Sequence, residues 1–301
     1  MAITLGPQSF IFSGYVPHHE WQGAHALSLK VYLAGEAVYE VEGGRQRVTP
    51  GEFLIINAGQ PYTLQIQRAR SACVFFAPGF AESVARSLTT RAADLLAEPA
   101  ASGGPIHFYE RVYAADALVL PIVQRMQAAI AAGQTARLWH EERLHELMGA
   151  LLRVQAVAQR EVDALPAQRP ATRDEVYRRV HRARDFIRAS ATEDVALDAI
   201  ARVACMSPNH LLRSFRQVFG ETPHQCLTEW RIAQACQLLR ATQQPVVEIC
   251  AAVGYTSVTS FTARFRQLMG TSPDRYRRQL GDFREVQVGN QWHTAASGAR
   301  T

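Results

Sequence analysis

Two hydrophobic rhythms divide the chain. From Leu27 to Phe76 the apolar residues fall in short runs rich in β-branched and aromatic side chains: Leu27 to Leu33, Ala37 to Val41, Phe53 to Ile56, Tyr62 to Ile66 and Ala72 to Phe76. Such runs, punctuated by Gly43-Gly44, Pro50-Gly51 and Asn57 to Pro61, predict strands, with Gly43-Gly44 as a two-residue hairpin turn. Many short strands at this spacing suggest a small barrel or a double-sheet jelly roll. Between Pro78 and Gln159 the rhythm becomes helical. Asp116 is placed to cap a helix carrying Val119, Ile122, Met126 and Ile130 as far as Gly133. A second helix starts near Ala136 and carries the stripe Leu144, Leu147/Met148, Leu151, Val154 and Ala158. That stripe suits either packing on the barrel or a helix-to-helix dimer seam. The seam is favoured, because a two-helix appendage has little barrel surface against which to cover both faces.

Beyond Val162 to Thr172, which has two prolines and no periodicity, the helical rhythm repeats itself. A helix from about Arg173 to Ala189 carries Val176, Val180, Ala183 and Ile187, and then one small pattern occurs twice. Leu197, Ile200, Phe215, Gly220 and Pro223 of the first copy answer to Val246, Ile249, Phe265, Gly270 and Pro273 of the second. The offset is 49 before the turn and 50 after it, so the second turn holds one extra residue. Each copy reads as a helix-turn-helix. Ser207-Pro208 and Ser257 supply start chemistry, and Gly220 and Gly270 the stops. A helix from Pro223 to about Leu239 joins the copies. In the second helix of each, Leu211, Phe215 and Val218, and likewise Phe261, Phe265 and Leu268, mark the core side. Asn209, Leu212, Arg213 and Arg216, with Thr259, Thr262, Ala263 and Arg266, mark the opposite face. A short helix with a polar, partly basic outer face is what a major groove admits.

Charge agrees with that reading. The net charge is +5, and between Ala171 and Leu280 there are 16 arginines against 10 acidic residues, so the excess sits on the repeated segment. Lys30 is the only lysine in the chain. Five cysteines, an odd number with no C-x-x-C pair, fit a reducing cytoplasm better than a disulfide scaffold. Cys205 takes the place of Gly254 and reads as a small packing residue, and Cys226, Cys236 and Cys250 read as buried fillers. No signal peptide is expected from Met1 to Pro7, and no apolar run approaches the roughly 18 residues of a membrane span.

Leu197-Asp-Ala-Ile-Ala-Arg-Val-Ala-Cys-Met-Ser-Pro, Phe219-Gly-Glu-Thr-Pro223, Glu248-Ile-Cys-Ala-Ala-Val-Gly-Tyr255 and Gly270-Thr-Ser-Pro-Asp-Arg-Tyr276-Arg resemble the AraC/XylS family of transcription regulators over about a hundred contiguous residues. Before them, Gly43-Gly44-Arg45, Pro50-Gly51-Glu52 and Ala58-Gly59-Gln60-Pro61 resemble the turns of a cupin-like sensor, with His18-His19-Glu20 standing before the first long strand. The resemblance implies an α+β chain. Its parts are a cupin-like β-barrel (1–100), a helical dimerisation appendage (101–161), a linker (162–172), an all-α double helix-turn-helix domain (173–280) and a flexible tail (281–301). It implies promoter DNA, RNA polymerase, a second copy of the chain and a small effector as partners, with activation favoured over repression. Two different reading helices imply an asymmetric site with contacts about 34 Å apart.

On the DNA side the expected residues are Ser207, Asn209, His210, Leu212, Arg213 and Arg216, and in the second unit Ser257, Thr259, Ser260, Thr262, Ala263 and Arg266. Arg213 reads as the base contact, guanidinium to guanine, with a phosphate contact as the alternative. The first unit is expected to carry most of the specificity. For the effector, His18, His19, Trp21, Tyr32, Tyr39 and Tyr62 are the candidates, with Phe53 and His25 beside them. Metal-binding cupins place a His where Tyr62 stands, so no metal, no cofactor and no enzymatic reaction are expected. The alternative is a metal-dependent cupin enzyme fused to a DNA module. A repair protein with a sacrificial cysteine lacks the cysteine-rich segment it would need.

Overall fold

The computed structural model describes residues 2–4, 9–98, 103–114, 117–134, 136–166 and 169–282. The expected cap Asp116 and the expected tail beyond residue 282 lie outside them. The chain forms two compact units, residues 1–189 with 195–223, and residues 190–194 with 224 onward.

The first unit opens on an antiparallel sheet of seven strands: β1 (Ala2–Thr4), β2 (Phe10–Ala24), β3 (Ser28–Val41), β4 (Gly44–Val48), β5 (Phe53–Ile56), β6 (Pro61–Phe75) and β7 (Val112–Tyr113). The strand order is β1-β2-β6-β3-β5-β7, with β4 also paired to β3. Two pairs of the expected short runs merge: Leu27 to Leu33 and Ala37 to Val41 become β3, and the Tyr62 and Ala72 runs become β6. The strands stay paired through a bulge, with register shifts between Tyr32 and Ala34 and between Ala34 and Glu36. Gly35 sits there at φ 69°, and a Cβ on it would lie 2.4 Å from the Arg68 carbonyl oxygen, so only glycine lets the two strands approach. Strand β2 has no counterpart in the sequence reading. It pairs with β6 from Phe10↔Phe75 to Ala24↔Pro61, yet Pro17, His18, His19 and Glu20 are all exposed, so no apolar alternation announces it.

The hairpin turn is one residue earlier than expected. Val41 pairs with Gly44, and the turn residues are Glu42 (φ 48°) and Gly43 (φ 73°), the positive pair that a tight hairpin requires. Gly44 is small for another reason: a Cβ there would meet Arg182 Cγ at 2.7 Å.

Alternation along the strands sends residues to two different cores. Leu29, Val31, Phe53, Ile55, Ala72 and Val74 face one side, while Tyr32, Leu54, Ile56 and Cys73 face the other. Helices α1 (Phe80–Thr89), α3 (Val119–Ala131) and α4 (Arg137–Asp163) pack on the first side, and the short α2 (Ala92–Ala97) follows α1. The α4 stripe Leu144, Leu147, Met148, Leu151 and Val154 is buried in that core, and Ala158 in a neighbouring cluster with Tyr109, Val162 and Tyr177. This corrects the expected dimer seam. Long strands give the sheet a whole apolar face, and α4 spends its stripe within its own chain.

Helix α5 (Pro170–Ala189) begins three residues before the expected Arg173, on a proline whose fixed φ suits a first turn. It packs along β4, and α6 (Leu197–Val203) and α7 (Pro208–Phe219) complete the first unit. The second contains α8 (Pro223–Ala241), α9 (Val246–Ala252), α10 (Val258–Met269) and α11 (Pro273–Asp282). Its core gathers Ile232, Leu239, Ile249, Val253, Phe261, Phe265 and Tyr276.

Candidate nucleic-acid interface and sheet cavity

Both helix-turn-helix units form as their caps dictate. Ser207 Oγ accepts from His210 N at 3.4 Å with Pro208 next in the helix, and Ser257 Oγ accepts from Ser260 N at 3.3 Å. Gly220 (φ 74°) and Gly270 (φ 70°) close the helices in the left-handed region. The two turns share their hydrogen bonds, Met206 N to Ala201 O and Tyr255 N to Cys250 O, which locates the extra residue at Thr256. Cys205 and Gly254 occupy equivalent positions at φ 51° and 84°. Cys205 is exposed, a correction to its reading as a packing residue, and its carbonyl accepts from Arg179 Nη1 at 2.8 Å. Cys226, Cys236 and Cys250 are buried.

The expected outward faces are outward. Ser207, Asn209, His210, Arg213 and Arg216 are exposed and Leu212 is half-buried, with Leu211 and Phe215 beneath. Ser257, Thr259, Ser260, Ala263 and Arg266 are exposed and Thr262 is half-buried, above Phe261 and Phe265. The third core position differs between copies. Val218 packs against the cluster of Tyr109, Ala158, Val162, Leu165 and Tyr177, whereas Leu268, expected in the core, is 43% exposed. Only α7 has that cluster beside it.

Many of the segment's arginines are committed elsewhere. Arg182 pairs with Glu42 and Arg188 with Glu52, while Arg178 pairs with Asp174 at 2.8 Å. Arg184 lies over the Phe219 ring, Arg231 donates to the Ala191 and Glu193 carbonyls, and Arg264 donates to Gln267 Oε1. The guanidiniums of Arg213, Arg216 and Arg266 make no hydrogen bond, ion pair or ring contact among the described residues. These guanidiniums keep their full donor capacity for an external acceptor.

Helix α5 ties the first unit's two halves together through buried polar groups. Asp185 Oδ2 accepts from Val112 N at 2.9 Å and from Gln46 Nε2 at 3.3 Å. Burial pushes its carboxyl up to about 6, against the pull of Arg188 and the Val112 amide. Glu52 accepts from Arg188 and also from Thr49 N and Oγ1, so it fixes the β4–β5 turn to the helix. His181, held neutral by burial and by the charge of Arg111, receives Arg111 Nη1 at 3.1 Å and meets the Phe219 ring of α7 at 4.9 Å.

On the sheet face turned away from α3 and α4 lies a cavity of about 270 Å³. His19, Trp21, Tyr32, Tyr39 and Tyr62 line it, five of the six expected effector residues; His18 lies elsewhere, exposed, 4.0 Å from Glu20. Phe53 is in the opposite core, stacked on Tyr113. The sequence reading missed Lys30, Cys73 and Phe75 as lining residues. Lys30 had a signal: a lone charge between Leu29 and Val31, at the strand position that alternates to the other face. Tyr32 and Tyr39 share a 2.6 Å hydroxyl hydrogen bond, and Trp21 stacks on His25. Burial lowers His25, and the Lys30 charge adds to the effect.

The class so defined is a sheet domain enclosing an apolar cavity, followed by two helix-turn-helix units. Comparison with known families agrees: an AraC-binding-like domain matches residues 3–159 and a helix-turn-helix domain matches residues 200–279. The chain belongs to the AraC family. It is similar to RclR, an RCS-specific HTH-type transcriptional activator of Escherichia coli K12, at 36% identity over 84 residues, 28% of this chain and 30% of that protein. It is also similar to LumQ, a probable transcriptional regulator of Photobacterium leiognathi, at 29% over 92 residues, 31% of this chain and 37% of that protein. The chain thus spans about a third of the length of these curated relatives. Among solved structures, the DNA-binding domain of AdpA in complex with a target DNA aligns at 27% identity over 36% of this chain and 97% of that one, with a TM-score of 0.34.

Proposed function

We propose that the chain is a sequence-specific DNA-binding transcription regulator, an activator responding to a small effector held in the cavity, rather than an enzyme. Residues 173–280 are the DNA-binding region, residues 1–100 the effector domain, 101–161 its helical cover, and 162–172 the linker, of which 164–169 lie between α4 and α5. The observation that carries this reading is the pair of serine-capped helices, α7 and α10, whose outward faces are exposed and hold Arg213, Arg216 and Arg266 without internal partners. A helix of this size presenting free donors fits a major groove, and arginine grips guanine O6 and N7 together. Promoter DNA is the partner, with RNA polymerase the target of activation and the cytoplasm the setting. Among the described residues no helix is long and apolar enough to cross a membrane. A second copy of the chain remains a proposed partner, through a surface other than the buried α4 stripe.

Arg213→Ala tests the reading. Binding to a panel of single-base site variants should weaken by about 1–3 kcal/mol and lose its preference at one base pair. Equal weakening across the whole panel would leave Arg213 a phosphate contact, and no weakening at all would remove α7 from the interface.

A further inference from the structure

Thirty-one of the chain's 32 strongly basic residues are arginines, and the one lysine is in the cavity wall. Lys30 is 2% exposed. Its Nζ donates to the Tyr62 hydroxyl at 3.0 Å and lies 4.1 Å from the centre of the Phe75 ring. The titratable groups lining the cavity with it are His19, His25, Cys73, Tyr32, Tyr39 and Tyr62, and among the described residues it forms no ion pair with a carboxylate. A buried ammonium without a counter-charge is costly. Burial accordingly lowers Lys30 to about 8. The cost can be relieved by an anion or by converting the nitrogen to a neutral group. For gripping a carboxylate, arginine is the better fork, and this chain uses arginine everywhere else. What lysine alone offers is an amine that can lose its proton and attack a carbonyl.

We propose that the cavity takes a small hydrophobic aldehyde and holds it as a reversible imine on Lys30. The inference rests on the effector reading of the cavity given above. The aromatic walls supply the apolar complement, and the volume suffices, since a cavity of about 150 Å³ already admits benzene. The step balances without an oxidant or reductant. The neutral amine's lone pair adds to the carbonyl carbon, and the carbonyl oxygen takes a proton to give a carbinolamine. Nitrogen gives up one proton, the hydroxyl takes a second and leaves as water while the nitrogen lone pair closes the C=N bond, and the iminium then gives up its N–H proton, so the two protons lost by nitrogen match the two gained by oxygen. Tyr62 is placed to relay those protons, because its hydroxyl already holds the Lys30 hydrogen bond and burial keeps it protonated. The product replaces an unpaired buried charge with a neutral nitrogen.

The test uses the full chain, benzaldehyde as probe, sodium cyanoborohydride as trap, and peptide mapping by mass spectrometry. Expected is a saturable benzyl adduct on Lys30, formed at least about tenfold faster than on the terminal amine, with a rate that rises through a pH near 8. Tyr62→Phe should slow the adduct by about tenfold or more and leave the labelling site unchanged. Lys30 labelling no faster than the terminal amine, or an adduct on Cys73, overturns the proposal. Thermal shift with benzyl alcohol, similar in shape but unable to form an imine, separates the two readings. A saturable Tm rise without a Lys30 adduct sinks the imine and leaves the effector cavity standing; no rise and no adduct sinks both.

Discussion

The two helix-turn-helix units are copies in sequence and unequal in setting. In the first, α7 leans on a polar and aromatic framework that reaches through α5 into the sheet: Phe219 meets His181, His181 receives Arg111, and Asp185 receives Val112 N. Val218 packs against the neighbouring cluster of Tyr109, Ala158, Val162, Leu165 and Tyr177. The second is organised on α8 and its own small core, and Leu268, at the position of Val218, is left 43% exposed. The same helical pattern therefore serves two packing problems. In the first unit the helix rests, through the Phe219 ring, on a histidine held by buried hydrogen bonds; in the second, edge-on aromatic contacts such as Phe261 on Phe265 and Phe265 on Tyr276 suffice.

The sharpest way to break the comparison is at Asp185. Asp185→Ala leaves the Val112 amide without its acceptor in a buried site, and should cost the first unit about 3 kcal/mol in chemical denaturation. The second unit's transition, followed by hydrogen exchange, should be unmoved. The Asp185 carboxyl also gives a pH signature. Its folded value of about 6 lies above the ordinary 3.8, so the folded state binds this proton more tightly. The stability from that proton is full below about pH 4 and is lost as the pH rises through about 6. Two units correspond to about 3 kcal/mol. Asp185→Asn, which keeps an acceptor for Val112, should gain on the wild type by up to that amount between pH 4 and 7. A gap between the two proteins that stays constant with pH would contradict the assignment.

The turns give a second contrast. At Gly254 a Cβ would lie 2.9 Å from the Thr192 carbonyl oxygen, and φ is 84°. Gly254→Ala should destabilise the second unit by about 2–3 kcal/mol, from the left-handed backbone and that clash together. Cys205, at the same place in the first turn, already tolerates a side chain at φ 51°. Cys205→Gly should change stability by less than about 1 kcal/mol. Equal responses at the two sites, read by thermal unfolding, would erase the distinction between the turns.

Smallest and most alike are the caps. Ser207→Ala and Ser257→Ala should each cost about 1 kcal/mol, since each removes one acceptor from a helix start. A markedly larger loss at Ser207, in the same unfolding measurement, would mean that α7 draws on its framework to hold even its first turn.

Much of this was legible in the chain. The repeat, its extra turn residue, both caps, both stop glycines and the outward faces follow from local chemistry, because a helix start or stop is decided by three or four neighbouring residues. The run of α4 was legible too, although not what it covers. Strand β2 was not: its exposed stretch from Pro17 to Glu20 carries no alternation, and it is a strand because β6 pairs with it throughout. The cavity fared in between. Aromatic residues were visible as candidates, but nothing local separates Phe53, in one core, from Tyr32, in the other wall, until the register of β3 against β5 and β6 is known.

By itself, then, the sequence determined the order of parts and the two groove-sized helices, since periodicity and capping are short-range properties. The tertiary structure alone decided three things. It assigned Arg182, Arg188 and Arg184 of α5 to Glu42, Glu52 and Phe219 rather than to an external surface, and it closed the α4 stripe onto the sheet. It also turned the single lysine into the cavity. Each depends on which face of one element meets another, and residues more than a hundred positions apart, such as Glu52 and Arg188, meet only when the whole chain has folded.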